Sequence, residues 1–191
     1  MPFYTRTGDS GQTDLLGERV TKDDPRIDLI GTLDETTSAI GLGRAHAQAS
    51  ASNEALIAAQ RDLYTLMAEL AFTQGIAQQK WHITQAEVDR IERETDAFEA
   101  AVNLPPHFIL PGDSVAGAAL DVARTVARRA ERQAVALHAG GHAVSATALA
   151  YLNRLSSLLF IVARAEDAAA GVTPLPAKET TGGRGVQSGA E

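Results

Sequence analysis

The sequence of 191 residues has the length of one ordinary domain, so we expect a single domain over residues 1–191. Hydrophobic residues make up 45% of the chain and charged residues 21%, proportions that exclude disorder and collagen-like repeats. The net charge of −7 disfavours binding to nucleic acid or to anionic membranes. The absence of cysteine excludes disulfides, thiolate metal sites and thiol catalysis.

The N-terminal residues and the longest apolar runs bear on location. The first six residues, MPFYTR, lack the apolar region of a signal peptide. No uninterrupted apolar run approaches the roughly 20 residues that span a bilayer. We therefore expect a cytoplasmic protein without a membrane partner.

Residues 1–24 form a polar, glycine-rich segment without sustained hydrophobic periodicity, which is typical of an ordered or ligand-ordered loop. Small residues and hydroxyls over 5–13 would leave backbone N–H groups available to surround phosphate oxygens. No Walker A sequence is present, so a phosphate site here would need basic residues such as Arg19 or Lys22. The same composition also fits a solvated loop, and the residues alone leave both interpretations open.

The first three helices are predicted from caps and from apolar residues at three- and four-residue spacing. Asp24, followed by proline, predicts the start of a helix over about 25–49. Asn53 is the predicted cap of a second helix that ends near Gly75. A capping box that begins at Thr84 predicts the third.

Two longer helices are predicted after a proline-rich break, over about 114–138 and 143–170. Short connections between successive helices favour an all-α, antiparallel five-helix bundle over 25–171. The last segment, 172–191, has too little apolar surface to pack by itself, and we expect it to be a flexible tail.

The fourth predicted helix carries a dense group of arginines in an otherwise acidic chain. At helical spacing one face collects charged side chains, and they are Asp121, Arg124, Arg128, Glu131 and Arg132. This ridge is predicted to face away from a buried stripe that contains Val115, Val122 and Val126. A solvated face with ion pairs is one interpretation, and a surface that grips phosphate or carboxylate groups with guanidinium forks is the other.

Two further polar residues lie near predicted helix contacts. Asp34 is close to small residues of the first helix, where a carboxylate would need a partner such as Arg124 or Arg128 from the same or a neighbouring chain. A plain exposed acid is equally compatible with the pattern. Asn153 offers an amide on the fifth helix, which by itself indicates little.

The histidines do not form a recognisable metal motif. One pair is four residues apart, but two glycines separate its members, and no Glu-x-x-His motif of a di-iron bundle is present. We therefore expect no dedicated metal site made by the protein. Serine-hydrolase and dinucleotide-binding glycine motifs are also missing from the sequence.

Six short motifs occur in order along the chain, and together they are far more specific than any one of them. They are YTRTGD at 4–9, RVTKD at 19–23, GTLDE at 31–35, FILPG at 108–112, RTVARRAER at 124–132 and YLNRLS at 151–156. In this order they resemble the PduO-type ATP:cob(I)alamin adenosyltransferases. The resemblance covers residues 3 to about 166.

The resemblance implies a five-helix bundle that assembles as a homotrimer, with ATP and a corrinoid bound in clefts between subunits. It also implies that Mg²⁺ arrives on the ATP phosphates. The residues that it assigns to the nucleotide are Thr5, Arg6, Thr7, Gly8, Asp9, Gly11, Thr13, Arg19, Lys22, Arg128, Glu131 and Asn153.

The resemblance further implies the reaction and the residues around the corrinoid. Cobalt(I) of cob(I)alamin attacks the 5′ carbon of ATP and displaces inorganic triphosphate, so the protein supplies positioning and charge. Asp34 and Arg124 match an acid–arginine pair between subunits, Phe108 matches an aromatic side chain below cobalt, and Arg128 matches a nucleotide ligand at the reaction site. A reductase and an adenosylcobalamin-dependent enzyme are the implied protein partners.

Three positions depart from the family pattern: leucine and asparagine are expected where Thr36 and Thr37 stand, and aspartate where Ser157 stands. These departures put ligand affinity, rather than the reaction, in question. A non-catalytic corrinoid carrier or an ATP-sensing module is the alternative function.

Overall fold

The computed structural model describes residues 6–72 and 81–178. Thr5, Gly75 and residues 179–191 therefore lie outside the described parts of the chain. Within those parts a two-stranded hairpin precedes five helices. The elements are β1 (Gln12–Leu15), β2 (Glu18–Thr21), α1 (Pro25–His46), α2 (Ser50–Ala71), α3 (Gln85–Ala101), α4 (Val115–Ala139) and α5 (Ala146–Ala169). The predicted five-helix architecture is confirmed.

Four of the five described helices begin at side-chain caps, and one of these caps is Ser145, which accepts from the Ala148 N–H at the start of α5. The Asp24 carboxylate accepts a hydrogen bond from the Arg26 N–H at the start of α1, as predicted. Thr84 and Glu87 form the predicted capping box of α3. Ser114 caps α4 by accepting from the Gly117 N–H at 2.9 Å. These local signals fix helix starts because they satisfy N–H groups that the first turn leaves without partners.

The predicted start of α2 at Asn53 is wrong, since the helix begins at Ser50 and its cap residue, Ala49, has no capping side chain. Instead, the buried carboxylate of Glu166 on α5 accepts hydrogen bonds from the N–H groups of Gln48, at 2.6 Å, and of Ala49. The cap therefore comes from a residue more than 110 positions away. The first helix also ends at His46, three residues before the predicted position.

Helices that pack side by side run in opposite directions, with the exception of α3 and α5, as contacts between them show. Side chains join Asp28 to Gln133 between α1 and α4, and Asn153 to Glu131 between α4 and α5. Helix α5 lies beside both α4 and α3. It is parallel to α3, with Thr147 bonded to the Ile83 carbonyl and Arg154 to Glu92. The bundle thus has one end where α1, α3 and α5 begin and an opposite end where α2 and α4 begin.

The hydrophobic core is built from leucines and alanines around α5, with Tyr151 as its largest fully buried side chain. Helix α2 buries five apolar side chains that recur at three- and four-residue spacing, and they are Leu56, Ala59, Leu63, Leu66 and Leu70. The predicted stripe on α4 is wrong at two positions, because Val115 and Val122 are exposed, whereas Val126 is buried. The exposed valines lie outside the core of this chain.

Within the described residues, α5 is the one helix that is long and apolar enough to cross a membrane. Of its most apolar 18-residue stretch, 56% is buried inside the structure. A helix packed at the centre of a bundle meets the same criteria, because its neighbours cover an apolar surface on several sides. We therefore interpret α5 as the core helix of the bundle.

The segment after α5 differs from the expected flexible tail over its first residues. Gly171 ends the helix in the left-handed region with φ of 72°, and the Val172 N–H bonds the Asp167 carbonyl at 3.1 Å. This glycine-terminated turn redirects the chain toward the connection between α3 and α4. Residues 172–178, which we name the strap, then pair with that connection through an isolated bridge between Ile109 and Pro176.

Candidate active site

A groove of about 590 Å³ opens between α3, α4, α5 and the connection before α4. Its lining includes three of the predicted site residues, which are Phe108, Arg124 and Arg128. The remaining lining residues are Thr95, Glu99, Leu104, His107, Ile109, Ser156, Ser157, Phe160 and Ile161. The groove therefore combines an apolar floor with two guanidinium groups, a mixture suited to a large ligand that carries both ring carbons and charge.

Phe108 dominates the mouth of this groove. Its side chain is 90% exposed, the highest exposure among the large apolar side chains of the described residues. Leaving an aromatic ring in water forgoes roughly 1.5–3 kcal/mol of burial. The exposed ring is consequently available to cover an apolar ligand face.

The two groove arginines differ in how they are held. The Nε group of Arg124 donates to Asp121 Oδ1 at 2.9 Å, which fixes the side chain against α4. Arg128 is exposed, and its guanidinium has no hydrogen-bond or ion-pair partner within residues 6–72 and 81–178. An unpaired guanidinium at a groove can accept an anion without first breaking an internal ion pair.

Asp121 is not part of the exposed ridge that the spacing predicts, because it is buried together with Arg164 on α5. Its Oδ2 atom accepts from Arg164 Nη2 at 2.7 Å, and Arg164 also pairs with Asp167 at 2.9 Å. Ser114 donates to Asp167 Oδ1 at 2.6 Å. Burial is the main cause that raises the pKa of the Asp167 carboxyl. The network links the first turn of α4 to the arginine in the groove.

Sequence reasoning did not anticipate this network as part of the site. The available signal was an arginine and two acids, at positions 164, 166 and 167, near the end of an otherwise apolar helix. Charged residues that a core helix buries need partners on the facing helix, and Asp121 supplies one.

A second series of polar side-chain contacts connects α4 to α3 through α5. The Asn153 amide donates to Glu131 Oε1 at 2.8 Å and its Oδ1 accepts from Arg154 at 2.7 Å. Arg154 in turn donates to Glu92 at 2.8 Å. The structure thus brings together Glu131 and Asn153, two residues that the sequence places in a nucleotide site, and leaves both at the surface or partly exposed.

Asp34 is exposed and has no hydrogen-bond or ion-pair partner in the described residues, so it does not pair with Arg124 or Arg128 of its own chain. The neighbouring acid, Glu35, instead pairs with Arg129 across the α1–α4 contact. Of the alternatives that the sequence leaves open for Asp34, a partner within the same chain is therefore not observed in the described residues, and an exposed acid or a partner on a neighbouring chain remains. Its carboxylate remains available to a group outside this chain.

The glycine-rich segment forms a hairpin rather than the loop that its composition predicts. Gly11, with φ of 79°, precedes β1, and the Lys22 N–H donates to the Gly11 carbonyl at 2.9 Å. The Lys22 ammonium lies over the turn, so close that a methyl group at Gly8 would be 3.3 Å from Nζ. The absence of a side chain at Gly8 lets the Lys22 ammonium lie close to the backbone of the turn.

The exposed side chain of Arg19 stabilises the hairpin and the turn before it. Its guanidinium donates to the Asp14 carboxylate at 2.9 Å, to Gln12 at 3.0 Å and to the Thr7 carbonyl at 2.6 Å. Arg19 therefore stabilises the segment that carries six other predicted nucleotide ligands. They are Arg6, Thr7, Gly8, Asp9 and Gly11, which precede β1, and Thr13, which lies on β1.

The hairpin and the groove occupy different parts of the molecule. The hairpin is anchored where α1 begins and α2 ends. Arg26 forms an ion pair with Glu18, and the Leu16 N–H donates to the Ala71 carbonyl at 3.0 Å. The groove starts at the opposite end of the bundle, at Phe108. Arg128 lies eleven residues before the end of α4, or about 16 Å from the hairpin end along the helix.

The three departures from the family pattern have different surroundings. Thr36 is fully buried and donates to the Thr32 carbonyl at 2.8 Å. The buried hydroxyl of Thr37 has no hydrogen-bond partner in the described residues. Ser157 lines the groove, where it leaves a smaller and uncharged surface than aspartate would.

No group of three or more histidine, aspartate or glutamate side chains in the described residues is arranged to hold a metal ion. Two acids near the groove, Asp121 and Glu131, are engaged with arginine and amide partners, and Glu99 lines the groove itself. The groups of the site that can act on a ligand are therefore its guanidinium groups, the N–H groups of the hairpin and one exposed aromatic ring.

Comparison with known proteins identifies the class of enzyme. The family model for cobalamin adenosyltransferase matches residues 3–166 of this chain. The chain therefore belongs to the cobalamin adenosyltransferase family.

Curated relatives agree with this assignment. The corrinoid adenosyltransferase of Bacillus subtilis is 39% identical over 176 residues, which cover 90% of each chain. The corrinoid adenosyltransferase PduO of Salmonella typhimurium is 41% identical over 169 residues; the match covers 87% of this chain and half of the Salmonella protein.

Solved structures extend the likeness to three dimensions. An arginine-to-lysine variant of a PduO-type adenosyltransferase from Lactobacillus reuteri, complexed with ATP, is 30% identical with a TM-score of 0.81, over 92% of this chain and all of that one. A phenylalanine-to-alanine variant, complexed with cobalamin and ATP, is 31% identical with a TM-score of 0.82, over 92% of this chain and 98% of that one.

Proposed function

We propose that this protein transfers the 5′-deoxyadenosyl group of ATP to cob(I)alamin, which yields adenosylcobalamin and inorganic triphosphate. The observation that carries the proposal is the groove in which Phe108, Arg124 and Arg128 come together. Family membership supports the same activity, and relatives of this fold hold ATP and cobalamin.

The corrinoid occupies the groove in this proposal. Ring carbons of the corrinoid lie against Phe108, Phe160 and Ile161, while Arg124 and the two serines meet its polar edge. The exposed ring of Phe108 takes the position below cobalt and keeps a lower axial ligand and water away. A cobalt(II) centre without that ligand is more easily reduced, and a separate reductase supplies the electron.

ATP binds between the hairpin of one chain and the Arg128 surface of another. Arg128 lies about 16 Å along α4 from the bundle end that carries the hairpin, and no contact joins it to the hairpin within the described residues, which supports this arrangement. The glycine-rich segment, to which Thr5 belongs in sequence, surrounds the triphosphate, and Lys22 lies over the turn of this segment. Arg128, Glu131 and Asn153 hold the nucleotide from the other side.

A homotrimer supplies the second chain. An exposed apolar surface next to the groove supports assembly: Leu42, Val115 and Val122 are each more than half exposed and line one shallow cavity of about 510 Å³. Contiguous apolar surface of this kind is typical of subunit contacts. Asp34, which lacks a partner in its own chain, pairs with Arg124 of the neighbouring chain at this contact.

Mg²⁺ enters on the ATP phosphates. The donor set of the hairpin fits such an ion, because the Asp9 carboxylate and the Thr13 hydroxyl are oxygen ligands of the type that Mg²⁺ prefers. When bound, the ion offsets negative charge on the triphosphate.

The chemistry requires no protein nucleophile. The cobalt(I) electron pair forms the bond to the 5′ carbon, the carbon–oxygen bond to triphosphate breaks, and cobalt ends as alkylated cobalt(III). Lys22 and Arg128 stabilise the charge that moves onto the leaving triphosphate. The protein also aligns the two substrates, which lowers the entropic part of the barrier.

The test is an anaerobic absorbance assay with chemically reduced cob(I)alamin, ATP and Mg²⁺, in which cob(I)alamin loss and triphosphate release are followed together. Many turnovers per protein chain, dependent on ATP, are expected. Saturable binding of ATP or corrinoid without triphosphate release would instead favour a carrier or sensor, and absence of both would contradict the proposal.

A further inference from the structure

The side chain of Phe108 is not held in place by packing, since it is 90% exposed. An exposed side chain takes its position from the backbone that carries it. That backbone belongs to the irregular connection between α3 and α4, which lacks helical hydrogen bonds of its own. The contacts of this connection with other segments therefore decide where the ring lies.

The strap, residues 172–178, supplies those contacts. The Ala177 N–H donates to the Phe108 carbonyl at 2.8 Å, and the Leu110 N–H donates to the Leu175 carbonyl at 2.8 Å. A third bond runs from the Leu175 N–H to Asp113 Oδ2 at 3.2 Å. Within the described residues, the first two are the backbone–backbone hydrogen bonds that residues 104–112 make to another segment.

Prolines alternate along the strap in step with this pairing. Pro174 and Pro176 lack N–H groups, whereas Leu175 and Ala177 donate theirs toward the α3–α4 connection. Ile109 and Pro176 form the bridge pair between the two hydrogen-bonded positions, so the missing N–H of Pro176 leaves no gap in the pairing. Two fixed φ angles also stiffen the strap before it pairs.

The root of the strap is rigid as well. Gly171 turns the chain at the end of α5, and the Asp167 carbonyl accepts a hydrogen bond from the Val172 N–H. The side chain of Asp167 belongs to the buried network with Ser114 and Arg164. The strap is therefore fixed to the same helix end that supports the start of α4.

We propose that the strap is a positioning element that holds the Phe108 backbone so that the ring covers the lower face of the corrinoid. This inference rests on the proposed function and adds to it a part of the chain beyond the six motifs. Its members do not touch the reacting atoms. Loosening the strap is expected to impair removal of the lower axial ligand and to spare alkylation of cobalt that is already reduced.

The experiment uses Ala177→Pro, which deletes the N–H that bonds Phe108, with Lys178→Pro as the matched control one residue further on. Each full-length variant is assayed with cob(II)alamin and reduced flavin as electron donor, and separately with chemically reduced cob(I)alamin. Loss of one backbone hydrogen bond is expected to lower the cob(II)alamin rate of Ala177→Pro about fivefold. Its cob(I)alamin rate should change less than about twofold, and electron paramagnetic resonance should show less four-coordinate cobalt(II).

A second variant, Pro174→Gly with Pro176→Gly, keeps all three donors but makes the strap flexible, and the same selective loss is expected. Phe108→Ala is the reference for the split between the two assays. If Phe108→Ala shows the split while Ala177→Pro and the glycine variant behave like Lys178→Pro, the strap inference is overturned and the proposed function stands. Equal losses for Phe108→Ala in both assays would overturn the role of Phe108, and the strap inference with it.

Discussion

Gly117 lies at a close contact between α4 and α5, and its replacement by alanine tests the buried network. A Cβ atom at this position would lie 2.9 Å from Asp167 Cγ and 2.9 Å from Ser114 Oγ, and still nearer to Asp167 Oδ1. The Asp167 carboxylate cannot retreat easily, because it is buried and bonded to Ser114 and Arg164. Gly117→Ala must therefore shift α4 or break one of these bonds.

The magnitude follows from three opposing contributions. Forcing a methyl group into a packed site costs about 1–3 kcal/mol, and a weakened buried bond to a charged group adds about 1–3 kcal/mol. Alanine recovers about 1 kcal/mol through its higher helix propensity. The net expectation is a loss of about 3 kcal/mol in the free energy of unfolding, or about 6–12 °C in Tm for a chain of this size.

Urea and thermal unfolding measure this effect, and Gly31→Ala is the matched control. Gly31 is also helical, but it is exposed, and a methyl group added there would have no neighbouring atom within 4 Å. Alanine at this position should therefore stabilise the chain by about 0.5–1 kcal/mol. A Gly117→Ala protein as stable as Gly31→Ala would refute the close-contact reasoning.

Three further outcomes are expected. Arg128→Ala should fold normally but lose about 100-fold in kcat/KM for ATP, with a smaller loss for Arg128→Lys; full turnover in steady-state assays would exclude its role in nucleotide binding. Asp34→Asn should weaken subunit association about tenfold by removing the counter-charge of Arg124, and unchanged association in analytical ultracentrifugation would count against the pair. The Arg26 hydrogen bond lowers the pKa of Asp24. The stability that this pair gives the folded chain is therefore present above the pKa of an unfolded aspartate, about 3.9, and is lost as the pH falls through the lower pKa of the folded state. Asp24→Asn should therefore be less stable than the native chain at pH 7, and the gap in unfolding free energy should close in acid; a constant gap would contradict this assignment.

Local signals in the sequence predicted the parts of the fold that local forces decide. The capping box at Thr84 and the cap at Asp24 occur where they were expected, because each requires only neighbouring residues. The start of α2 was not predictable in this way. Its cap is Glu166, and no local pattern reports a carboxylate that reaches the helix from α5.

The candidate site shows the same difference between features that local sequence decides and features that distant residues decide. Helical spacing predicts that Arg124 and Arg128 share one face, and both line the groove. Spacing also grouped Asp121 with them, although a buried partner on α5, Arg164, draws this acid inward. The hairpin escaped prediction because its strands are mostly polar and exposed, so they lack the alternation that reveals a half-buried strand.

The distance between the hairpin and the groove has a genetic consequence. In the proposed assembly, each chain contributes half of one catalytic centre and the complementary half of another. A chain with a damaged hairpin and a chain with a damaged groove are both inactive alone, yet their co-assembly reunites two intact halves at some of the contacts. Two defective alleles of this gene would then complement each other, whereas two alleles damaged in the same half would not.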